Sequence, residues 1–322
     1  MKAQSALVTG ATSGLGFEAA AQLADAGWNK VTITGRDAAR AKAAAVQLRE
    51  RTGRDVFESL VVDLNVSGSV RDAAAELADR GDTIDFLLLN AGMVSGSKMV
   101  KTEEDVEITF ASSLIGHHQL TMQILKDGLL ADNARIVIAG SEAARGDVPT
   151  FNPTDLQAFS KENFDGDLVA GAEALIRGEK VKFKSATAYA NAKVFVAWWA
   201  AQLADRLPEG MTVNAVSPGS VPDTDAARNA QGFMKYVLLP MFKIAPKSLG
   251  MSSEVSVGAH RYIEVAEYDD DATGLFFASA PKKMTGPIEA MQQTHILNDV
   301  DQKAAWSAVV EVAGGIDYRV AV

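Results

Sequence analysis

The sequence predicts an α/β protein built on a doubly wound parallel sheet of about seven strands, with helices on both faces. Short β-branched segments alternate with longer helical patterns, which indicates parallel strands joined by right-handed crossovers. A glycine-rich turn separates the first strand from the first helix, and small or polar residues follow the later strands. Ligands of such sheets bind beyond the carboxyl ends of the strands, so these turns are where functional residues are expected.

The first strand and helix form the most informative unit. An apolar strand over residues 6–8 precedes a turn and a helix that begins near Leu15 and stops before Gly27. This order points backbone N–H groups and a helix N-terminus at a phosphate. The candidate contacts are Gly10, Thr12, Ser13, Gly14, Leu15 and Gly16. Their Gly-x-x-x-Gly-x-Gly spacing differs from the commonest dinucleotide fingerprint, so a purely structural turn stays open at this point.

The later elements follow in regular order. Strands are predicted over residues 30–35, 56–62, 84–89, 135–139, 211–216 and 272–279, since each is short and rich in β-branched or apolar residues. Helices are predicted from the N-cap Asp37 to residue 50, from the N-cap Ser67 to residue 80, and over 102–130, 188–207 and 299–312. Residues 145–187 show weak periodicity and are predicted as a long insertion in a single domain of residues 1–322.

Composition excludes several classes of protein. With 31 basic and 41 acidic residues the net charge is -10, and no basic block suggests a nucleic-acid surface. The absence of cysteine excludes disulfides and a thiolate nucleophile, and four histidines, two of them adjacent, predict no metal site. The first strand leaves no room for a signal peptide, and no apolar run reaches the ~18 residues of a membrane span. We therefore predict a soluble, cytoplasmic protein.

Arg36 predicts the cofactor. It follows the second strand about twenty residues after the glycine turn, where an acid would bind a ribose 2′-hydroxyl and an arginine suits the 2′-phosphate of NADP. Arg40, one helical turn further, is placed to assist. The sequence thus predicts NADP (NADPH) in preference to NAD, the alternative being that Arg36 is a solvated loop charge.

Three residues predict the chemistry. Tyr189 and Lys193 lie four positions apart, on one face of a helix. A free phenol with a pKa of ~10 transfers protons poorly at neutral pH, and a neighbouring ammonium lowers that pKa. The tyrosine then passes a proton to a carbonyl oxygen as hydride arrives from a nicotinamide. Ser141, after the fifth strand, is placed to hydrogen-bond the same oxygen. The alternative is a solvated lysine beside a half-buried tyrosine.

Taken together, these motifs resemble those of the short-chain dehydrogenase/reductase family, whose members are Rossmann-fold enzymes that use nicotinamide dinucleotides. The likeness covers about residues 3–220 and rests on TGATSGLG, NAG, the strand ending in serine, YANAK and a Pro-Gly pair after the sixth strand. The segments RIVIAGSEA, LIGHH and RLPEGMTVNAVSPG are more similar to the subgroup that contains retinol dehydrogenases and light-dependent protochlorophyllide reductases.

The resemblance implies further site residues. Asp63 and Leu64, after the third strand, would contact the adenine. The cofactor groove would be lined by Asn90, Ala91 and Gly92, and the nicotinamide by Pro218 and Gly219. Lys193 would also hold the nicotinamide ribose.

The chain departs from the family at Ser113. Family members usually have an asparagine three residues before the glycine of this segment, here Gly116, and it holds a water linked to the catalytic lysine. Ser113 is therefore included among the catalytic residues, with a shorter side chain that would weaken or rewire the proton relay. Protochlorophyllide reductases also use a cysteine, which this chain lacks, so their photochemistry is not implied.

A second departure is the distance of 48 positions between Ser141 and Tyr189, which is longer than usual in the family. The extra segment carries Phe151, Phe159, Phe164 and Phe183. We expect it to act as a lid over the site, or else as an interface element that enlarges a dimer contact.

Residues from about 220 to 250 are unusually apolar and are predicted to cover the substrate. A helix packed on the body of the protein is the alternative. A third interpretation is shallow membrane contact through Phe233, Leu238, Leu239 and Phe242, with Lys235 and Lys243 at the headgroups.

The predicted function is an NADP-dependent oxidoreductase that interconverts a carbonyl and an alcohol on an apolar small molecule, with Tyr189 as general acid and base. One alternative is reduction of an activated C=C bond in the same site. The other is a weakly catalytic NADP-binding protein that serves as a sensor or interaction module, supported by Ser113. The sequence leaves the oligomeric state open, with a homo-oligomer among the options.

Overall fold

Eight strands form one sheet in the part of the chain that the computed structural model describes, residues 4–221 and 253–318. Their spatial order is β3-β2-β1-β4-β5-β6-β7-β8, parallel from β3 to β7, with β8 antiparallel to β7. The strands are β1 Ser5–Val8, β2 Lys30–Gly35, β3 Phe57–Val61, β4 Ile84–Leu89, β5 Leu130–Ala139, β6 Thr212–Val216, β7 Phe276–Ser279 and β8 Ile288–Ala290.

The helices of the described residues lie on both faces of this sheet. They are α1 Gly14–Asp25, α2 Ala38–Thr52, α3 Ser67–Arg80, α4 Ile108–Phe110, α5 Gly116–Lys126, α6 Leu156–Asn163, α7 Leu168–Arg177, α8 Ser185–Ala204, α9 Val255–Ala266 and α10 Asp299–Val312. A π-helical turn, Ala111–Ile115, joins α4 to α5, and a 3-10 turn, Glu142–Arg145, follows β5.

The sheet is buried on both sides, which explains the continuous apolar runs of its strands. Leu87, Leu88 and Leu89 of β4 are fully buried, and two apolar clusters cover the two faces. The strand order reverses between β1 and β4, and a crevice opens beyond the carboxyl ends of strands at such a reversal. The functional site is therefore expected beyond the carboxyl ends of β1, β4, β5 and β6.

The predicted doubly wound α/β fold is confirmed. The sheet has one strand more than the seven expected, because β8 has three residues that are not fully buried and gave no clear pattern. The helix predicted from residue 102 starts at Ile108, since the Glu107 side chain caps it. Ser67 is the first residue of α3 and not its cap, because its hydroxyl bonds Glu104 at 2.6 Å.

The insertion is mostly helical, which the weak periodicity did not predict. Two short helices, α6 and α7, begin after the capping residues Asp155 and Asp167 and pack against each other. The α7 helix also packs on α10, far along the chain. The predicted substrate-covering segment, about residues 220–250, lies outside the described residues apart from its first two positions.

Candidate active site

The glycine turn after β1 has a backbone that a side chain would obstruct. Gly10 and Gly14 have φ of 65° and 61°, in the left-handed region that favours glycine. A Cβ on Gly10 would lie 2.8 Å from the Cα of Ala91, and one on Gly16 would lie 2.7 Å from the Gly10 carbonyl oxygen. The N-cap of α1, Ser13, makes no side-chain capping bond, so the turn presents uncapped backbone N–H groups to the crevice.

The segment after β4 holds this turn in place. The Asn90 amide donates to the carbonyl oxygen of Thr9 at 3.0 Å, and the Ala91 N–H donates to the Thr9 hydroxyl at 3.0 Å. Asn90 and Ala91 thus fix the start of the glycine turn through Thr9.

The turn forms one wall of a cleft of about 360 Å³. Eleven of the sixteen residues predicted to bind the dinucleotide line it, namely Gly10, Thr12, Ser13, Gly14, Leu15, Arg36, Asp63, Leu64, Asn90, Ala91 and Gly92. Gly16 does not line the cleft, and instead packs closely under the turn. The residues that the sequence predicts to bind one ligand therefore lie together around one cleft.

Two arginines face a side cavity of about 280 Å³ at the end of this cleft. Arg36 is exposed, with one guanidinium nitrogen 3.3 Å from the sulfur of Met93, and Arg40 lines the same cavity. The neighbouring carboxylates are engaged elsewhere. Asp37 caps α2 by accepting from the Arg40 N–H at 2.8 Å, and Asp63 accepts from the amide of Asn65 at 2.9 Å. The cavity therefore offers two guanidinium groups to a ligand.

A second cavity, of about 220 Å³, adjoins the cleft and shares the walls formed by Leu15, Asn90, Gly92, Met93 and Val94. It contains the predicted catalytic residues Ser113, Ser141, Tyr189 and Lys193 and the predicted nicotinamide neighbours Pro218 and Gly219. These residues come from the π-helical turn before α5, from the turns after β5 and β6 and from α8, and the fold brings all six together.

Lys193 is buried beneath Tyr189 on α8. Its ammonium donates to the carbonyl oxygen of Ala139 at 2.6 Å and lies 5.7 Å from the centre of the Tyr189 ring. Burial lowers the pKa of Lys193 to about 8, because desolvation disfavours the charged form.

The sequence predicted that Lys193 lowers the pKa of Tyr189, and this is wrong for the structure described. Burial of the phenol raises its pKa and is the largest effect. A hydrogen bond with Ser141 lowers the pKa, and the negative charge of Glu142 raises it further. Ser141 and Tyr189 are hydrogen-bonded to each other, and the Lys193 ammonium bonds the backbone carbonyl of Ala139.

Ser113 lies in the π-helical turn before α5 and is 2% exposed. A Cβ on Gly92 would lie 3.1 Å from the Ser113 hydroxyl, so the side chain sits directly against the cofactor-groove segment. Single π-helical turns inside helices are frequent at functional sites. Ser113, where the family usually has an asparagine, therefore lies in the wall of the cavity that contains Tyr189 and Lys193.

Sequence reasoning named Phe151 as part of a possible lid, but it did not single out Glu142, Arg261, Tyr262 or Met284 at this site. Glu142, Phe151, Tyr262 and Met284 line the cavity, and Glu142 also forms a buried ion pair with Arg261. The sequence could have indicated Glu142, because a carboxylate close to the end of a buried strand needs an ion-pair or hydrogen-bond partner. Arg261 could have been recognised in the same way, because it is a charged residue within the mostly apolar α9.

Among residues 4–221 and 253–318, no three histidine, aspartate or glutamate side chains lie close enough together to hold a metal ion. Within the same ranges, every helix is too short or too polar to cross a bilayer.

Comparison with known proteins identifies the family. The model of the family described as "short chain dehydrogenase" matches residues 4–153. Human retinol dehydrogenase 13 is 28% identical over 286 residues, covering 87% of this chain and 78% of that protein. The chloroplastic protochlorophyllide reductase of Chlamydomonas reinhardtii is 26% identical over 97% of this chain and 78% of its own length.

A solved structure gives the same fold. A short-chain dehydrogenase from Burkholderia cenocepacia, crystallised in complex with NADP, superposes with a TM-score of 0.60 at 23% identity, over 85% of this chain and 95% of its own. The sheet order, the glycine turn and the relatives agree with the resemblance read from the motifs. These matches relate the chain to the short-chain dehydrogenases/reductases, by the family model over residues 4–153 and by the curated relatives over most of its length.

Proposed function

We propose that this protein is an NADP-dependent oxidoreductase that interconverts a carbonyl and an alcohol on an apolar small molecule. One observation carries the proposal. The cavity that contains Ser141, Tyr189 and Lys193 adjoins the glycine-turn cleft and shares walls with it. A dinucleotide along the cleft would therefore end beside the hydroxyl groups.

The cleft suits a nicotinamide dinucleotide. The positive φ of Gly10 and Gly14 gives the turn its sharp course, and Gly10 packs against Ala91 where a side chain would not fit. Backbone N–H groups at the start of α1 would bind the phosphates. Asp63 and Leu64 would flank the adenine, and Lys193 would hold the nicotinamide ribose.

The side cavity supports NADP over NAD. Arg36 and Arg40 face it together with the carboxylates of Asp37 and Asp63, whose Oδ1 atoms accept hydrogen bonds from the Arg40 N–H and the Asn65 amide. A 2′-phosphate would meet two guanidinium groups there, which bind phosphate oxygens through paired N–H donors. The NADP-bound Burkholderia relative has the same fold.

Tyr189 is the proposed general acid and base. Bound NADPH supplies a hydride to the carbonyl carbon. Ser141 would hydrogen-bond the carbonyl oxygen and orient it, and Tyr189 would donate its phenolic proton to the same oxygen. Because burial keeps the phenol protonated, the acid form needed for reduction is present at neutral pH. Lys193, with a pKa of about 8, would be mostly cationic there, which suits its proposed contact with the nicotinamide ribose.

The cavity walls support an apolar substrate. Beyond the catalytic hydroxyl groups, the described lining is dominated by Met93, Val94, Phe151, Val221 and Met284. Methionine and phenylalanine side chains adapt to bulky apolar groups and offer them little hydrogen bonding. The retinol dehydrogenase relative is named for such a compound.

The deciding experiment is a substrate screen. Oxidation of NADPH is followed with aldehydes, ketones and quinones, and in parallel with α,β-unsaturated compounds analysed for the saturated product. The proposal expects alcohol products from apolar carbonyl compounds. Saturated carbonyl products would favour the C=C reductase, and tight NADPH binding without turnover of any compound would favour the sensor.

A further inference from the structure

The loop between β7 and β8, residues 280–287, forms part of the wall of the catalytic cavity. Met284 lines the cavity from this β7–β8 loop. Its carbonyl oxygen accepts from the Ser220 N–H at 2.8 Å, and a Cβ on Gly219 would lie 3.1 Å from the same oxygen. The β7–β8 loop thus packs against the turn after β6, which is predicted to neighbour the nicotinamide.

Arg145, in the 3-10 turn after β5, binds the first half of the β7–β8 loop and is 2% exposed. Its Nη1 atom donates to the carbonyl oxygen of Ala280 at 3.0 Å, and its Nη2 atom donates to that of Lys283 at 2.8 Å. Its Nε atom donates to Asp147 at 3.0 Å, and this carboxylate balances the buried charge. The other oxygen of the same carboxylate accepts from the Lys282 N–H at 2.8 Å.

Arg261, on α9, binds the second half of the β7–β8 loop and is 3% exposed. Its Nη2 atom donates to the Gly286 carbonyl oxygen at 2.6 Å and to the Ser279 hydroxyl at 3.0 Å. Its Nη1 atom donates to the Ser217 carbonyl oxygen at 3.1 Å. The same nitrogen lies 3.5 Å from the Oε1 atom of Glu142, the carboxylate that balances its charge. One guanidinium therefore connects the β7–β8 loop to the end of β6.

The carbonyl groups of an exposed loop need no buried partner, because water can bind them. Lys282 and Lys283 are exposed, yet three carbonyl groups of this loop accept from guanidinium groups that are themselves buried. A buried guanidinium is costly unless its donors are paired, and its planar fork fixes the acceptors that it binds. The two arginines therefore fix the main chain of the β7–β8 loop, and with it the position of Met284 at the cavity.

We propose that Met284 is a specificity-determining residue that binds the apolar part of the substrate, and that Arg145 and Arg261 are positioning residues that hold it at the cavity wall. A methionine side chain is flexible and polarizable, so it packs against apolar groups of varied shape. Because its main chain is held, these contacts favour a bulky apolar substrate over a small one. The specificity part of this inference rests on the proposed function.

Substrate selectivity tests the role of Met284. In Met284→Ala the KM of a bulky apolar ketone should rise about tenfold, because lost methylene contacts in an apolar pocket have effects of that order. The KM of a small aldehyde and the kcat of both substrates should change far less. Met211→Ala is the matched control, since Met211 is also half-buried but packs on the main core just before β6, and it should alter neither KM. Equal changes for both substrates in Met284→Ala, or a lower KM of the bulky ketone, would overturn the role of Met284.

Binding without turnover gives the same comparison. The ketone is titrated calorimetrically into each protein with NADP⁺ in place of NADPH, so that no hydride is available. The affinity of Met284→Ala for the bulky ketone should fall about tenfold. An affinity equal to that of the parent chain contradicts the proposed contact.

Tryptic cleavage tests the role of the arginines. The bonds after Lys282 and Lys283 are exposed, but trypsin should cut them slowly in the parent chain because the main chain is held. Arg145→Met should speed this cleavage by about tenfold or more, since hydrogen bonds to a charged group are lost, and should raise the KM of the bulky ketone more than it lowers kcat. Arg145→Lys and Arg261→Lys keep the charge without the planar fork, and should act in the same direction to a smaller extent. These two variants decide the question if Arg145→Met fails to fold, and unchanged cleavage in all folded variants overturns the role of the arginines.

The control for cleavage is Arg135→Met. Arg135 also donates to two main-chain carbonyl groups, those of Asn133 and Gly210 at 3.2 and 2.9 Å, but at the end of the sheet opposite the cavity. It should leave cleavage of the β7–β8 loop and the KM of the bulky ketone unchanged. If it speeds cleavage as much as Arg145→Met does, the effect is a general loosening of the protein and the inference is wrong.

Failure of the proposed function is distinguishable from failure of this inference. If the parent chain neither binds nor reduces any carbonyl compound, the proposed function fails and the role of Met284 fails with it. The cleavage rates still decide whether Arg145 and Arg261 hold the β7–β8 loop.

Discussion

The Nε2 atom of His117 lies 2.9 Å from the hydroxyl oxygen of Thr9, 108 positions earlier in the chain. Its Nδ1 atom lies 3.2 Å from the carbonyl oxygen of Ser113, so Nδ1 carries the proton and Nε2 accepts from the Thr9 hydroxyl. Since the Thr9 hydroxyl in turn accepts from the Ala91 N–H, one neutral imidazole connects the glycine turn, the segment after β4 and the π-helical turn.

The first prediction is a loss of stability on mild acidification. Burial lowers the pKa of His117 to about 3 and of His118 to about 4, from 6.5. Because the folded-state values lie below the unfolded one, the unfolded chain binds more protons between pH 6.5 and 4. The free energy of unfolding should therefore fall as pH falls, by about 1.4 kcal/mol per pH unit and histidine. Urea denaturation at several pH values measures this slope.

His118→Gln provides the comparison for that slope. The imidazole of His118 accepts from the Trp199 indole at 3.0 Å and donates to the Ile316 carbonyl at 2.7 Å, and a glutamine amide can do both. In the variant, the part of the pH dependence of the unfolding free energy that comes from the two histidines should be about half as large. The contributions of the carboxyl groups are the same in both proteins and cancel in the comparison. An identical slope in the variant and the parent chain would contradict the assignment.

The second prediction concerns Arg36. The Arg36→Asp variant removes a charge-assisted contact of ~1.5–3 kcal/mol to the 2′-phosphate and adds repulsion. We expect more than a tenfold loss of NADPH affinity by calorimetry, with NADH affected much less. Arg71→Asp, the same charge change at an exposed site on α3, serves as control and should leave both affinities unchanged. Equal losses for NADPH and NADH in Arg36→Asp would show that the arginine does not select the cofactor.

The third prediction separates the roles of Tyr189 and Lys193. Tyr189→Phe should leave NADPH binding nearly unchanged and lower turnover by about a hundredfold or more, the scale of general acid catalysis. Lys193→Met should reduce both turnover and NADPH affinity. Tyr268→Phe removes a phenol that bonds Glu264 on another part of the chain, and should leave turnover unaffected. Retention of most activity in Tyr189→Phe would support the C=C reductase or the sensor.

Much of the site could be predicted because its residues follow strands that are recognisable on their own. The β2 segment, Lys30–Gly35, has the predicted bounds, since a β-branched run ends there at a glycine. The position of Arg36 at the carboxyl end of β2 follows directly from where that strand ends. Tyr189 and Lys193 share a helix face whatever the tertiary structure.

Contacts across long sequence distances could not be predicted. The partners of Glu142 lie 75, 119 and 137 positions away, so nothing near Glu142 identifies them. The pKa of Tyr189 likewise depends on burial, which the spacing of a motif does not contain. The helices of the insertion were missed because α6 and α7 are short and depend on packing with α10.

The fourth prediction concerns Ser113 as a relay residue. If its hydroxyl positions a water linked to Lys193, Ser113→Ala should lower turnover less than tenfold and alter its pH dependence, and Ser113→Asn should raise turnover if the larger side chain fits against Gly92. Ser112→Ala is the control. That hydroxyl donates to the Ile108 carbonyl and accepts from the Met93 N–H, both at 2.8 Å, so its loss should leave the pH profile unchanged. Unaltered pH dependence in both Ser113 variants would assign Ser113 to packing.

The last prediction divides the insertion into two parts. Phe151 lines the catalytic cavity, with its ring centre 5.7 Å from that of Tyr189. Phe159 instead lies in the main apolar core at 8% exposure, with its ring 5.9 Å from that of Phe164. The lid expected from four phenylalanines therefore reduces to the first of them, and the helices that follow belong to the body of the protein.

Two alanine variants test this division. Phe151→Ala should enlarge the cavity and raise the ratio of kcat/KM for a bulky ketone to that for a small aldehyde, with a modest effect on stability. Phe159→Ala should lower the free energy of unfolding by about 3–5 kcal/mol, because it leaves a cavity in the core, and should keep that ratio unchanged. If Phe159→Ala alters substrate preference as much as Phe151→Ala does, the helical part of the insertion also contacts the substrate, and the lid extends over α6.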